Sequence, residues 1–255
     1  MAGEHVMPLD LSGQIALTAL IFLVAMIYAS VGHGGASGYL AVLSLFSFQQ
    51  EQMAGTALIL NVAVSSLAFW SFMRRGHLLP RFAWLLVLTS IPFSFIGGTM
   101  HVSSTVYKVL LAFALSIAAL RLLYERRTSN YALTEPHAIM LGGVGGSIGL
   151  VSGIVGVGGG IFLSPVSIFF RWTTVKSAAT LSALFILSNS MSGLAGRVVT
   201  GKLAVAPVLP LLAAAIAGGV IGAWLGSARF SNRALRVVLA AVLMIAVLKL
   251  LLTVK

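Results

Sequence analysis

The sequence predicts an all-α polytopic membrane protein of two inverted repeats, each of five helical segments and each with a Gly-rich broken or re-entrant helix. Three observations lead there: charge is scarce, apolar segments recur along the whole chain, and one glycine-rich interruption occurs twice. Of 255 residues, 59% are hydrophobic and 8% charged, against about 25% charged in a soluble domain. All five acids, Glu4, Asp10, Glu51, Glu125 and Glu135, lie at ends or in connecting segments. The net charge of +11 would also suit nucleic acid. The Lys and Arg residues, however, sit in short clusters between apolar spans, the pattern of cytoplasmic loops, so no nucleic-acid partner is expected. The absence of cysteine removes disulfides, thiolate metal sites and thiol catalysis. The N-terminus carries Glu4 and Asp10, and the first Lys or Arg is Arg74, so it does not read as a cleaved signal peptide.

Taken in order, a tail (1–13) precedes apolar segments at 14–31, 36–48, 53–73, 82–100 and 104–124. A polar run at 125–130 follows, and the series repeats at 138–155, 160–170, 175–197, 205–226 and 234–252. Repeat 1 is thus 14–127 and repeat 2 is 137–255, joined by a linker at 128–136, and together they form one transport domain. Eight of the ten segments approach the roughly 20 residues that a spanning helix needs. The two that follow the glycine runs are shorter, as half-helices would be. Sliding the chain by 124 residues lays Gly32, Gly34 and Gly35 on Gly156, Gly158 and Gly159, Thr56 on Thr180, and Ser66 on Ser190. A slide of 125 pairs Gly76-His77-Leu78 with Gly201-Lys202-Leu203, and Ile96-Gly97 with Ile221-Gly222. Order kept over this length with small gaps indicates a duplicated unit.

Lys and Arg counting sets the orientation. Arg74, Arg75 and Arg81 form one cluster and Arg121, Arg126 and Arg127 the next, two helices later, so both belong on the cytoplasmic side. Five segments per half, with a hairpin at each break, invert the second half. Arg171, Lys176 and the group Arg229, Arg233 and Arg236 then fall inside as well, and only Arg197 and Lys202 break the rule. A parallel arrangement violates it more often. The protein is expected to be multi-pass in the inner cell membrane, with the lipid bilayer as its surroundings and monomer and homodimer both open.

Val155-Gly156-Val157-Gly158-Gly159-Gly160 and Val31-Gly32-His33-Gly34-Gly35-Ala36 should both interrupt a helix, because each interior glycine costs roughly 1 kcal/mol. A break at membrane depth survives only where protein or a wet cavity covers it. A helix that resumes there presents free N–H groups and its positive dipole end, an anion site without a basic side chain. Two inverted copies bring two such ends together near the midplane, an arrangement found in secondary transporters. The expected backbone donors to a small anionic substrate are Gly34, Gly35, Gly158, Gly159 and Gly160. Glycines that only let helices pack closely are the competing explanation.

These paired breaks, the half-repeat layout and the small-residue tails Ile96-Gly97-Gly98 and Gly218-Gly219-Val220-Ile221-Gly222 resemble the TauE/SafE family of sulfite exporters and sulfonate permeases. The resemblance covers about 14–252, and the second-half glycine run followed by Pro165 is its sharpest part. It implies transport of small sulfur-containing anions such as sulfite, thiosulfate or organosulfonates. The first half departs from the pattern, with His33 and Ala36 among the glycines and Ala41 where the second half has Pro165.

His33 is the one histidine expected at membrane depth. It either bonds or balances the substrate, or donates to a carbonyl that the break leaves free. Ser37, just after the first break, can donate to an oxyanion, as can Ser164. Thr56 and Thr180 are expected to line the site. Asn61 and Asn189 should face the interior, serving either the substrate or helix–helix hydrogen bonds. Arg197 is expected to snorkel to the surface, and Gly218, Gly222 and Gly226 to mark close helix packing. The spacing of the histidines gives no metal site, and no cofactor is expected. No acid lies at depth, so passive or potential-driven movement is expected, and flux that needed a sodium gradient would refute it. An anion channel shares the architecture. An intramembrane enzyme lacks a nucleophile–base pair, so no catalytic residue is assigned.

Overall fold

The computed structural model describes residues 10–46, 48–100, 132–201, 203–205 and 208–231, with 234, 237 and 244 besides. Among these there are eight α-helices and no strand: α1 Leu11–Ser30, α2 Ala36–Leu45, α3 Gln50–Arg74, α4 Ala83–Thr99, α5 Ala138–Val155, α6 Gly160–Phe169, α7 Val175–Val199 and α8 Val208–Trp224. A π-helical turn, Leu225–Arg229, ends α8. The expected segment 104–124, nearly all of 234–252 and the polar run 125–130 lie outside the described residues.

Helix α1 starts three residues before the expected 14 because Asp10 caps it, its Oδ1 accepting from the Gly13 N–H at 2.9 Å. The Ser12 hydroxyl and that N–H hold the Asp10 carboxyl below its usual range. Among the described residues, five helices are long and apolar enough to cross a bilayer: Leu11–Ser30, Glu51–Arg74, Ala138–Val155, Val175–Val199 and Val208–Arg229. The outer faces of these helices and of α4 expose Leu11, Ile15, Trp84, Leu88, Leu209 and Val220, more apolar surface than a soluble monomer shows, and lipid would match it.

Element positions recur along the chain. Helices α2 and α6 are each 10 residues, offset by 124; α3 and α7 are each 25 and α4 and α8 each 17, offset by 125. Packing partners recur with them: α1 lies on α8 and α5 on α4, while α3 meets α7 at the centre. The outer pairs are parallel and in backbone contact. A Cβ at Gly218, Gly222 or Gly226 would fall on the carbonyl oxygen of Phe22, Met26 or Ser30, the close packing that the four-residue spacing predicts. On the other side, Gly145 sits against Leu86 and Thr89, Gly149 against Ser90, and Gly153 against Ser94.

Helices α3 and α7 run antiparallel. The Thr180 hydroxyl near the start of α7 donates to the His77 carbonyl just past α3. Gly55, near the start of α3, packs on Leu203 and Ala204 beyond α7. The Ser227 carbonyl, at the end of α8, meets His77 Nε2 at 3.2 Å and Lys176 Nζ at 3.5 Å. Arg74, Lys176 and Arg229 therefore share one end of the bundle, as the charge count requires of residues on one membrane face. Arg74 lies over the Trp70 ring and Arg229 over Trp224.

Candidate functional site at the two helix breaks

Both glycine runs interrupt the helix. Helix α1 ends at Ser30 and α2 begins at Ala36; α5 ends at Val155 and α6 begins at Gly160. The turns need glycine because Gly32 and Gly156 have φ of 78° and 77°, and Gly35 and Gly159 of 102° and 79°, values that L side chains avoid. Each break leans on a long helix from the other half of the chain. Gly32 touches the Ala179 backbone and Gly156 lies on Ala54; these alanines are the fifth residues of α7 and α3.

At the twelfth residue of α3 stands Asn61, fully buried. Its Oδ1 accepts from the Ala36 N–H, the first of α2, at 3.0 Å. Its Nδ2 donates to the Val157 carbonyl in the second break at 3.2 Å and to Ser190 Oγ at 3.3 Å. One amide thus ties both interruptions together and caps the resumed helix. Glycine makes room for it: a Cβ at Gly34 would fall on the Asn61 amide oxygen, and one at Gly158 would lie 2.9 Å from both Nδ2 and Ser190 Oγ. The twelfth residue of α7 is Ile186, also buried. It packs on Gly158 and Gly160, and no side chain caps α6.

His33 is buried, with Nδ1 3.0 Å from the Val31 carbonyl in its own break. A carbonyl only accepts, so Nδ1 carries a proton, and Nε2 lies a long 3.5 Å from Ser164 Oγ. Ser164 Oγ is also 2.6 Å from Ser182 Oγ. His33 therefore bonds a carbonyl in its own break and also approaches Ser164 in α6.

The other expected site residues are placed as follows. Gly159 precedes α6, against Phe185 and Ile148. Ser37, half-buried, pairs with the Tyr28 hydroxyl at 2.8 Å. Thr56 is buried in α3, five residues or about 7.5 Å along the axis before Asn61. Thr180 follows Ala179, which touches Gly32, but its hydroxyl is engaged by the His77 carbonyl at 2.7 Å and the Lys176 carbonyl at 3.2 Å. Asn189 Nδ2 donates to Phe185 O within α7 at 2.9 Å, while its buried Oδ1 has no partner. The structure thus gathers His33, Gly34, Asn61, Gly158 and Gly160, and directs the Thr180 hydroxyl to the end of the bundle.

Sequence reasoning reached Ser190 only through the slide and did not single out Tyr39 or Ile186. The signal for Ser190 was its repeat partner, although the true helix register pairs it with Ser65 rather than Ser66. Arg197 differs from expectation: it is buried, and Nη2 donates to the Ile154 carbonyl at 3.2 Å. A cation at the C-terminal end of α5 complements carbonyls without an intrahelical donor.

The fold and these interior polar groups define a multi-pass membrane protein whose buried hydrogen bonding gathers at two helix interruptions. The chain belongs to the sulfite exporter TauE/SafE family, whose description matches residues 17–250. It is 37% identical over 244 residues to the probable membrane transporter protein y4hK of Sinorhizobium fredii, covering 93% of this chain and 98% of that protein. No solved structure matches it. The protein is a membrane transporter of that family.

Proposed function

We propose that this transporter moves a small sulfur-containing anion (sulfite, thiosulfate or an organosulfonate) across the inner cell membrane, binding it between the two breaks near the midplane. The observation that carries this reading is the Asn61 side chain bonded to residues of both breaks. It brings the start of α2 and the second glycine run to one place, where N–H groups and positive dipole ends favour an anion. In this reading the two halves are inverted repeats and α2 and α6 are re-entrant. Support comes from the antiparallel α3 and α7, the recurring element offsets and the basic residues gathered at one end. Gly34, Gly35, Gly158, Gly159 and Gly160 supply backbone donors. His33, Ser37, Thr56 and Asn189 surround them, and Thr180 holds the turn at His77. The family description itself names sulfite.

The test is uptake into liposomes holding the purified protein, with Gly159→Leu beside the parent. A Cβ at Gly159 lies 2.8 Å from Phe185 and requires φ of 79°, so flux should fall to background while the protein stays folded in detergent. Gly143→Ala, with nothing within 4 Å of the new Cβ, should leave flux unchanged. Parent-level uptake by Gly159→Leu would remove the site from between the breaks. Flux that fails to saturate and shows no counterflow would make the protein a channel.

A further inference from the structure

The two breaks share a backbone plan but not a chemistry. The offsets of 124 at the breaks and 125 in the central helices place His33 opposite Val157, Tyr39 opposite Leu163, and Asn61 opposite Ile186. All six are buried. Each polar member lies before the linker at 128–136 and each apolar member after it.

Tyr39 is the member of this set that nothing above explains. It lies one turn into α2 with no exposed surface. Its N–H makes an ordinary helical bond to the Gly35 carbonyl at 2.9 Å. The side chain leans back toward the start of the helix, as helical side chains do. A Cβ at Gly35 would lie 2.8 Å from the Tyr39 hydroxyl and 2.7 Å from its ring. The hydroxyl thus sits beside the residue that immediately precedes α2, and it has no hydrogen-bond partner. A buried hydroxyl left unpaired has given up its bonds to water and gained none in return. Leu163 fills the matching place in the second repeat without incurring that cost. A phenol kept at the mouth of a helix N-terminus, with its donor unspent, is suited to an acceptor that arrives from elsewhere.

Resting on the transport reading above, we propose that the Tyr39 hydroxyl donates a hydrogen bond to an oxygen of the bound anion at the start of α2. The first break is then the oxyanion pole of the site. The second break, with Val157, Leu163 and Ile186, is its apolar face. A substrate with an organic substituent lies with its oxygens toward Tyr39 and its carbon end toward Ile186. Tyr39 is in this sense a substrate-contacting residue, distinct from Asn61, which is occupied in holding the breaks together.

The experiment compares the full-length protein with Tyr39→Phe, which removes one oxygen and keeps the ring. Thermal unfolding in detergent is followed without anion and with sulfite, thiosulfate or ethanesulfonate, since ligand binding to the folded state raises the midpoint. Without anion, Tyr39→Phe should melt at or above the parent temperature, because a buried unpaired hydroxyl has gone. With anion, the concentration giving half the stabilisation should rise about tenfold or more in the variant, the value of one hydrogen bond to a charged group. In liposomes KM should rise by the same factor with little change in maximal rate. Equal stabilisation of both proteins by every anion, or stabilisation of neither, overturns the assignment. The transport reading fails separately: Tyr39-dependent stabilisation without flux sinks transport alone, and flux with identical parent and variant KM sinks this assignment alone.

Discussion

Replacing Asn61 with Leu is expected to abolish anion flux and to destabilise the folded protein by about 2–4 kcal/mol, read as a lower unfolding temperature in detergent. The side chain makes three bonds at once, to the Ala36 N–H, the Val157 carbonyl and Ser190. Each buried group left without its partner costs about 1–3 kcal/mol, and losing a helix cap costs about 1 kcal/mol. Relaxation of the breaks recovers part of that sum. Leucine also differs in shape from the amide against which Gly34 and Gly158 are packed. Asn61→Asp separates the two effects. Its carboxyl still accepts from Ala36 and keeps the cap, but its second oxygen meets the Val157 carbonyl, which only accepts. The tie between the breaks is lost while the cap stays, so flux should still vanish. A Leu variant as stable as the parent would mean that the two breaks are held together by something other than this amide.

The second large effect concerns one helix and two glycines. In α5, a Cβ at Gly153 would fall on the Ser94 carbonyl oxygen with the Gly98 backbone N at 2.8 Å, whereas nothing lies within 4 Å of one at Gly143. Gly153→Leu must push α4 and α5 apart along a seam where backbone meets backbone, and overpacking of this kind costs about 3 kcal/mol or more. The expected result is protein that does not elute as a folded species in detergent. Gly143→Ala should instead raise stability by up to about 1 kcal/mol, the helix-propensity difference between the two residues. Comparable behaviour of the two variants would show that the seam is not the tight contact described.

Much of this architecture could be read before any coordinates, because glycine and charge act locally. The breaks were legible because a cluster of glycines rarely lies inside an apolar span unless the backbone must turn there. The seam on α1 was legible because Gly218, Gly222 and Gly226 repeat every four residues. What stayed hidden depends on register and reach. One residue of offset between the breaks and the central helices puts Asn61 across from Ile186, and a slide along the sequence does not show which offset governs a given helix. Thr180 looked like a lining residue because a hydroxyl at depth needs a partner; the partner, the His77 carbonyl, comes from a turn 103 residues away. Arg197 looked like a residue that would stretch to water, because single-sequence reasoning cannot see the Ile154 carbonyl waiting beside it. The Tyr39 hydroxyl is visible only by its lack of a neighbour.

The exchange of partners, α1 with α8 and α5 with α4, has a genetic corollary. One buried cluster contains Leu17, Ile21 and Ala25 beside Leu211 and Ala215, and a second contains Leu86 and Val87 beside Leu141, Leu181 and Phe185. Among the described residues, both clusters draw on helices from before and after the linker. A larger side chain on α1 or α4 has to be answered by a smaller one on α8 or α5. Substitutions along the two seams are therefore bound to come as complements, like a casting and its mould.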